Sequence, residues 1–198
     1  MMRRMSMVMS LCFLLVALAV VAQCAEVYPP TTPWKTRVGQ LLPLYGHRNW
    51  ICVVDSAYPA QSREGIETIV CNDDMGDVLG AVMSQLRRQR HIMPICYMDA
   101  ELPFVPEALA PGITNYRKSL PKILGDAQVE SMLHNDVIAM LDQAAQTFNV
   151  LILKTNLRLP YTSVFIRLDC GYWGADAEAQ MREAMEAAAI AAAPGPEE

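Results

Sequence analysis

Three stretches of this chain are apolar at every position, and each is too short for a helix that hides a single stripe: Trp50-Ile51-Cys52-Val53-Val54, Val150-Leu151-Ile152-Leu153 and Val164-Phe165-Ile166. Side chains of a strand alternate between two faces, so a strand that is apolar throughout must be covered on both. A sheet with one wet face is thereby excluded, and helices are needed above and below. The intervening segments supply them. Val38, Leu41, Leu42 and Tyr45 recur at helical spacing within Trp34 to Leu44; Val78, Val82 and Leu86 do so up to about Arg88; Val137, Leu141, Ala144 and Phe148 do so after His134. Asp73 or Asp74 reads as the cap of the second helix, and Thr114 to Leu124 reads as a further one despite Pro121. Shorter strands are expected at Glu67 to Cys71, His91 to Met98 and Val129 to Met132, with Pro94 marking an edge or an interruption. Helices alternating with strands give the class: α/β, three layers α/β/α around a central, mostly parallel (mixed) sheet.

The N-terminus stands apart from this pattern. Arg3 and Arg4 precede an apolar run from Leu11 to Ala22, and small residues follow at Ala22-Gln23-Cys24-Ala25. That is the layout of a secretory signal peptide over residues 1–25, and the run is short for a membrane span. The expectation is an exported protein, periplasmic or secreted; a lipid-anchored form beginning at Cys24 is the weaker alternative, because Gln23 is a poor match for the small residue before such a cysteine. Residues 26–34 form a proline-rich, extended lead-in, 35–173 a single domain, and 174–198 an alanine-rich helix (Ala175 to Ala193) with a short tail. Removing the leader leaves 14 basic against 21 acidic residues, a net charge of −7. Such a surface disfavours nucleic acid. The basic cluster Arg87-Arg88-Gln89-Arg90 sits where it would complement the dipole of its own helix. Cys52 and Cys96 lie inside apolar runs and read as small buried hydrophobes rather than disulfide partners, with Cys71 and Cys170 the remaining cysteines after the leader. No Cys/His cluster at metal-ligand spacing is present, so no metal or cofactor is expected.

The candidates for chemistry are few. No GxSxG elbow, phosphate-binding glycine loop or HExxH occurs, which removes the usual hydrolase, kinase and dehydrogenase signals. Asp55 follows the first apolar run without a break, where open α/β sheets place ligand groups, although an aspartate there also serves as a turn-former. Of the three histidines, His91 reads as structural, whereas His47 beside Gly46 and His134 at a helix start are placed to move protons near neutral pH. The connector from Lys154 to Ser163 crowds polar groups between two core strands. A carboxylate, an imidazole and a tyrosine-bearing loop suit a small neutral polyol: carboxylate for hydroxyls, ring face for C–H bonds, imidazole for protons.

Gly46-His47, the strand, and then Asp55-Ser56-Ala57-Tyr58-Pro59 resemble the GH…DAxxP signature of the D-ribose pyranase and L-fucose mutarotase (RbsD/FucU) family. Pro160-Tyr161-Thr162-Ser163 resembles that family's second signature, usually P/K-Y-x-N. The resemblance runs over roughly Lys35 to Gly171. It implies a cofactor-independent isomerase of a small neutral monosaccharide, built as a ring-shaped homo-oligomer with sites between subunits. It also implies roles for single residues: His47 as the proton-donating histidine, Asp55 as the carboxylate for sugar hydroxyls, Tyr161 as the pocket tyrosine, and His134 as the polar residue opening the preceding helix. Ser163 stands where the family has asparagine, and the stretch from His134 to Tyr161 is several residues longer than in typical members. A non-catalytic sugar-binding or sensing protein of the same fold is the alternative reading. Within one strand, His47 and Asp55 would lie roughly 25 Å apart at about 3.3 Å per residue, which favours a pocket shared between subunits or a turn consuming His47 to Asn49.

Overall fold

A computed structural model of the protein describes residues 33–192; the leader, most of the lead-in and the tail fall outside them. Six strands form one sheet: β1 (Trp50–Val54), β2 (Ile66–Val70), β3 (Ile92–Asp99), β4 (Gln128–Met132), β5 (Val150–Lys154) and β6 (Val164–Cys170). Their order is β2-β5-β1-β6-β3-β4. β1 and β2 both pair in parallel with β5, and β3 pairs in parallel with β4, while β6 runs antiparallel to β1 and β3. Every strand except β6 therefore points the same way. The carboxyl ends of five strands and the start of β6 gather at one edge of the sheet, and the start of β1 and end of β6 lie at the other.

Among the described residues five α-helices flank the sheet: α1 (Trp34–Leu41), α2 (Met75–Leu86), α3 (Ile113–Leu124), α4 (His134–Ala144) and α5 (Ala175–Ala192). The alternation within β1 divides the core as strand geometry requires. Ile51 and Val53 pack with α1, α2 and α3 in one cluster; Trp50, Cys52 and Val54 join Val137 and Leu141 of α4 in another. All five residues of β1 are buried, so the expected three-layer α/β/α arrangement holds.

Local chemistry departs from expectation in four places. Pro94 lies inside β3 without interrupting it, because pairing with β4 starts one residue later, at Ile95. Asp74 occupies the N-cap of α2 but makes no side-chain cap bond, and Asp73 instead accepts the indole N–H of Trp34 at 2.7 Å. Arg87 does not serve its own helix: it donates to the carbonyls of Ile123 and Leu124 at 3.1 and 2.9 Å, closing the end of α3. α4 ends at Ala144, short of Phe148. Cys52, Cys71, Cys96 and Cys170 are all free thiols. α5 is a regular helix with no buried residue.

The start of α3 has an unusual cap. The Glu107 carboxylate accepts the N–H groups of Gly112 at 2.6 Å and Thr114 at 2.9 Å. These bonds, the one from Gly112 foremost, hold its carboxyl down at about 2, against an ordinary 4.5. A depressed folded-state value means the contact stabilises fully above about pH 4.5 and loses its effect as pH falls toward 2. Glu107→Gln is therefore expected to lower the melting temperature at pH 7, with the gap to wild type closing as the pH drops through that window. A gap independent of pH would contradict this account of the cap.

Candidate functional site

The carboxyl edge of the sheet collects the polar groups that the buried strands exclude. Asp55 follows β1 directly. Its Oδ1 accepts the Ala57 N–H at 2.8 Å, the turn-forming role, while its Oδ2 accepts the Ser163 hydroxyl at 3.2 Å from the start of β6. Ser163 is buried and directs its one hydroxyl proton at that carboxylate. The connector leading into β6 is held from several sides. Thr155 Oγ1 donates to the Val54 carbonyl at 2.9 Å, Thr162 Oγ1 to Leu159 at 2.8 Å, and the Tyr116 hydroxyl of α3 to the Thr162 carbonyl at 2.5 Å.

His134 opens α4 immediately beyond β4 and comes to this edge beside Tyr161, the two rings meeting edge to face with centroids 5.7 Å apart. The extra residues between them in sequence do not separate them in space. His134 Nδ1 lies 3.2 Å from Oδ1 of Asp99, the last residue of β3, and its backbone N–H is shared by both oxygens of Glu101 at 3.1 Å. Asp99 is only 2% exposed, and its Oδ2 has no partner. Burial raises its carboxyl above the ordinary range, with His134 pulling the other way.

Tyr161 is half-exposed yet held at φ +56°, in the left-handed region. A non-glycine residue there costs about 1–2 kcal/mol, and so exposed a side chain recovers little of it by packing. Conformations of this kind cluster where a side chain is aimed at a ligand.

His47 is elsewhere. It sits at the opposite edge, before β1, with Nδ1 2.6 Å from Oδ1 of Asp169 near the end of β6. Burial works against ionisation of Asp169, but the Cys170 N–H and His47 together hold its carboxyl below the ordinary range. Arg48 beside it takes φ +77°. So of the residues singled out in the sequence, Asp55, Ser163, His134 and Tyr161 share one edge of one chain, and His47 does not join them. His91 is structural as expected, with Nε2 3.0 Å from the Tyr45 carbonyl. A cleft of about 640 Å³ also lies at the His47 edge, around Met83, Arg90, Ile92 and Gly171, but it holds none of the candidate residues.

The chain is similar to RbsD and FucU structures. RbsD from Bacillus subtilis complexed with D-ribose aligns with a TM-score of 0.49 and 13% identity, over 70% of this chain and 94% of that one. The fucose mutarotase of Streptococcus pneumoniae in complex with L-fucose gives 0.45 and 14%, over 70% and 96%. FucU from Bifidobacterium longum gives 0.43 and 13%, over 67% and 92%. No protein-family profile and no curated protein matches the sequence.

Asp99 and Glu101 went unassigned in the sequence. The signal for Asp99 was there: Ile95-Cys96-Tyr97-Met98-Asp99 repeats the pattern of Ile51-Cys52-Val53-Val54-Asp55, an apolar run ending in a carboxylate. Glu101 carried no such signal, since its role depends on β3 and β4 being neighbours.

If Tyr161 pays strain to face a ligand, Tyr161→Gly should leave unfolding free energy within about 1 kcal/mol of wild type, because glycine adopts positive φ freely. A loss well beyond that by urea denaturation would mean the side chain is a packing element.

Proposed function

We propose that this protein binds a small neutral monosaccharide at the carboxyl edge of its sheet and interconverts its anomers or ring forms by general acid–base catalysis. The observation that carries this reading is the meeting of Asp55–Ser163 with His134 and Tyr161 at one edge. A carboxylate with free lone pairs accepts sugar hydroxyls, an aromatic ring covers C–H faces, and a part-exposed imidazole exchanges protons. Opening a cyclic hemiacetal takes the proton from the anomeric hydroxyl, forms the carbonyl, breaks the ring C–O bond and returns a proton to the ring oxygen. His134 performs one of these transfers, and such assistance is worth on the order of 10²–10⁴-fold. No step calls for a metal or cofactor.

His47 enters this site from a second copy. One chain holds it at the far edge, so it reaches a sugar only across an interface, in keeping with a ring-shaped homo-oligomer. Export after removal of residues 1–25 completes the reading. Among the described residues no helix is long and apolar enough to cross a membrane. A second reading, binding without catalysis, draws on Ser163: it has committed its single O–H to Asp55, where the family's amide would offer both donors and an acceptor.

Saturation-transfer NMR of anomer exchange, with D-ribose, L-fucose, galactose and glucose, separates these. The wild type should accelerate exchange of at least one sugar above buffer, and His134→Ala should reduce that by roughly 10²–10⁴-fold. Chains bearing Asp55→Ala and His47→Ala, each inactive alone, should regain part of the activity when co-assembled, because some mixed interfaces carry an intact site. Binding without exchange would leave only the second reading, and absence of both would overturn the proposal.

A further inference from the structure

We infer that Asp99 is a positioning residue for His134, locking its imidazole with the proton on Nδ1 and leaving Nε2 as the free base. The inference rests on the sugar-isomerase reading for its catalytic consequence, but its structural half stands alone. An Asp99 Oδ1 that carries no proton, as in a carboxylate or in a carboxyl protonated on the unpartnered Oδ2, only accepts hydrogen bonds, so Nδ1, 3.2 Å from it, is the protonated nitrogen of a neutral ring. Asp99 is 2% exposed while the His134 side chain remains 36% exposed. The buried partner is therefore fixed by the sheet, and the exposed ring takes its orientation from it. Glu101 adds a second constraint by clamping the His134 backbone N–H with both oxygens at 3.1 Å. The ring can neither swing away with a fraying helix end nor exchange its two nitrogens without losing the Asp99 bond. Tyr161, edge-on to the ring, limits it on a third side.

The other titratable groups around the pair do not compete for Nδ1. Asp55 bonds Ala57 and Ser163, Tyr116 donates to the Thr162 carbonyl, and Glu101 is occupied with backbone. The consequence is an orientation rule: the anomeric hydroxyl has to approach Nε2. A carboxylate holding one tautomer in this way is a general device of histidine bases, and its amide analogue inverts the tautomer by donating where the carboxylate accepted.

Ring ¹⁵N NMR of His134 in the full-length protein decides the structural half without any sugar. At a pH where the ring is neutral, wild type should show Nδ1 protonated and Nε2 bare, and Asp99→Asn should shift the ring to the Nε2–H form. Anomer exchange in the same variant should fall by about 10²–10⁴-fold with sugar affinity retained. Should Asp99→Asn fail to fold, the tautomer of the wild type alone still tests the claim: a ring protonated on Nε2 overturns it. A changed tautomer with unchanged exchange would also overturn the positioning role. If the wild type accelerates no exchange at all, the isomerase reading falls while the tautomer result still stands or fails by itself.

Discussion

Burial of the central strands on both faces is the constraint from which the rest of the structure follows. β1 is covered by α1, α2 and α3 on one side and by α4 on the other, and β5 and β6 share the same two clusters. A polar side chain within these strands would lose its hydration without a partner, at a cost of about 1–3 kcal/mol or more. Polar chemistry is thereby driven to the strand ends. Because five strands run one way and only β6 runs the other, the residue after β1, the last residue of β3 and the residue before β6 come to one edge. Asp55, Asp99 and Ser163 are the outcome.

That arrangement explains why the two ends of β1 behave as different places. Asp55 accepts the Ser163 hydroxyl at the edge that also carries His134 and Tyr161, whereas His47 has a carboxylate partner of its own in Asp169. Each edge carries a histidine–aspartate pair, and each has a residue with positive φ beside it, Arg48 at one and Tyr161 at the other. The two pairs differ in burial. Asp99 is almost wholly buried, while Asp169 keeps a side-chain exposure of 29%. On the proposed reading, the buried pair would hold the proton acceptor and the open pair would meet a second copy.

Much of this was readable in the amino-acid sequence, for identifiable reasons. Fully apolar runs fixed the strands and the need for two covering layers, since periodicity and run length are local properties. Asp55 stood out because nothing separates it from its strand. Asp99 obeys the same rule but follows Pro94, a residue that locally signals a broken strand or an edge. Pro94 is tolerated because β4 starts pairing only at Ile95, a fact of register rather than of local sequence. The contacts of Glu101 and Arg87 join elements 33 and 36 residues away, so no spacing rule could reveal them. The length of an extended strand already argued against one chain bringing His47 and Asp55 together, and β1 does hold them at opposite edges.

Whether a monosaccharide binds this protein, and at which edge of the sheet, decides the proposed function. Backbone amide NMR of the full-length protein, titrated with each candidate monosaccharide, reads it directly. Shift changes confined to Asp55, Tyr161, Ser163 and the start of α4, with changes at His47 appearing only together with these, are the expected result. Changes centred on the opposite edge, around Arg90, Ile92 and Gly171, or no changes at millimolar sugar, would contradict it.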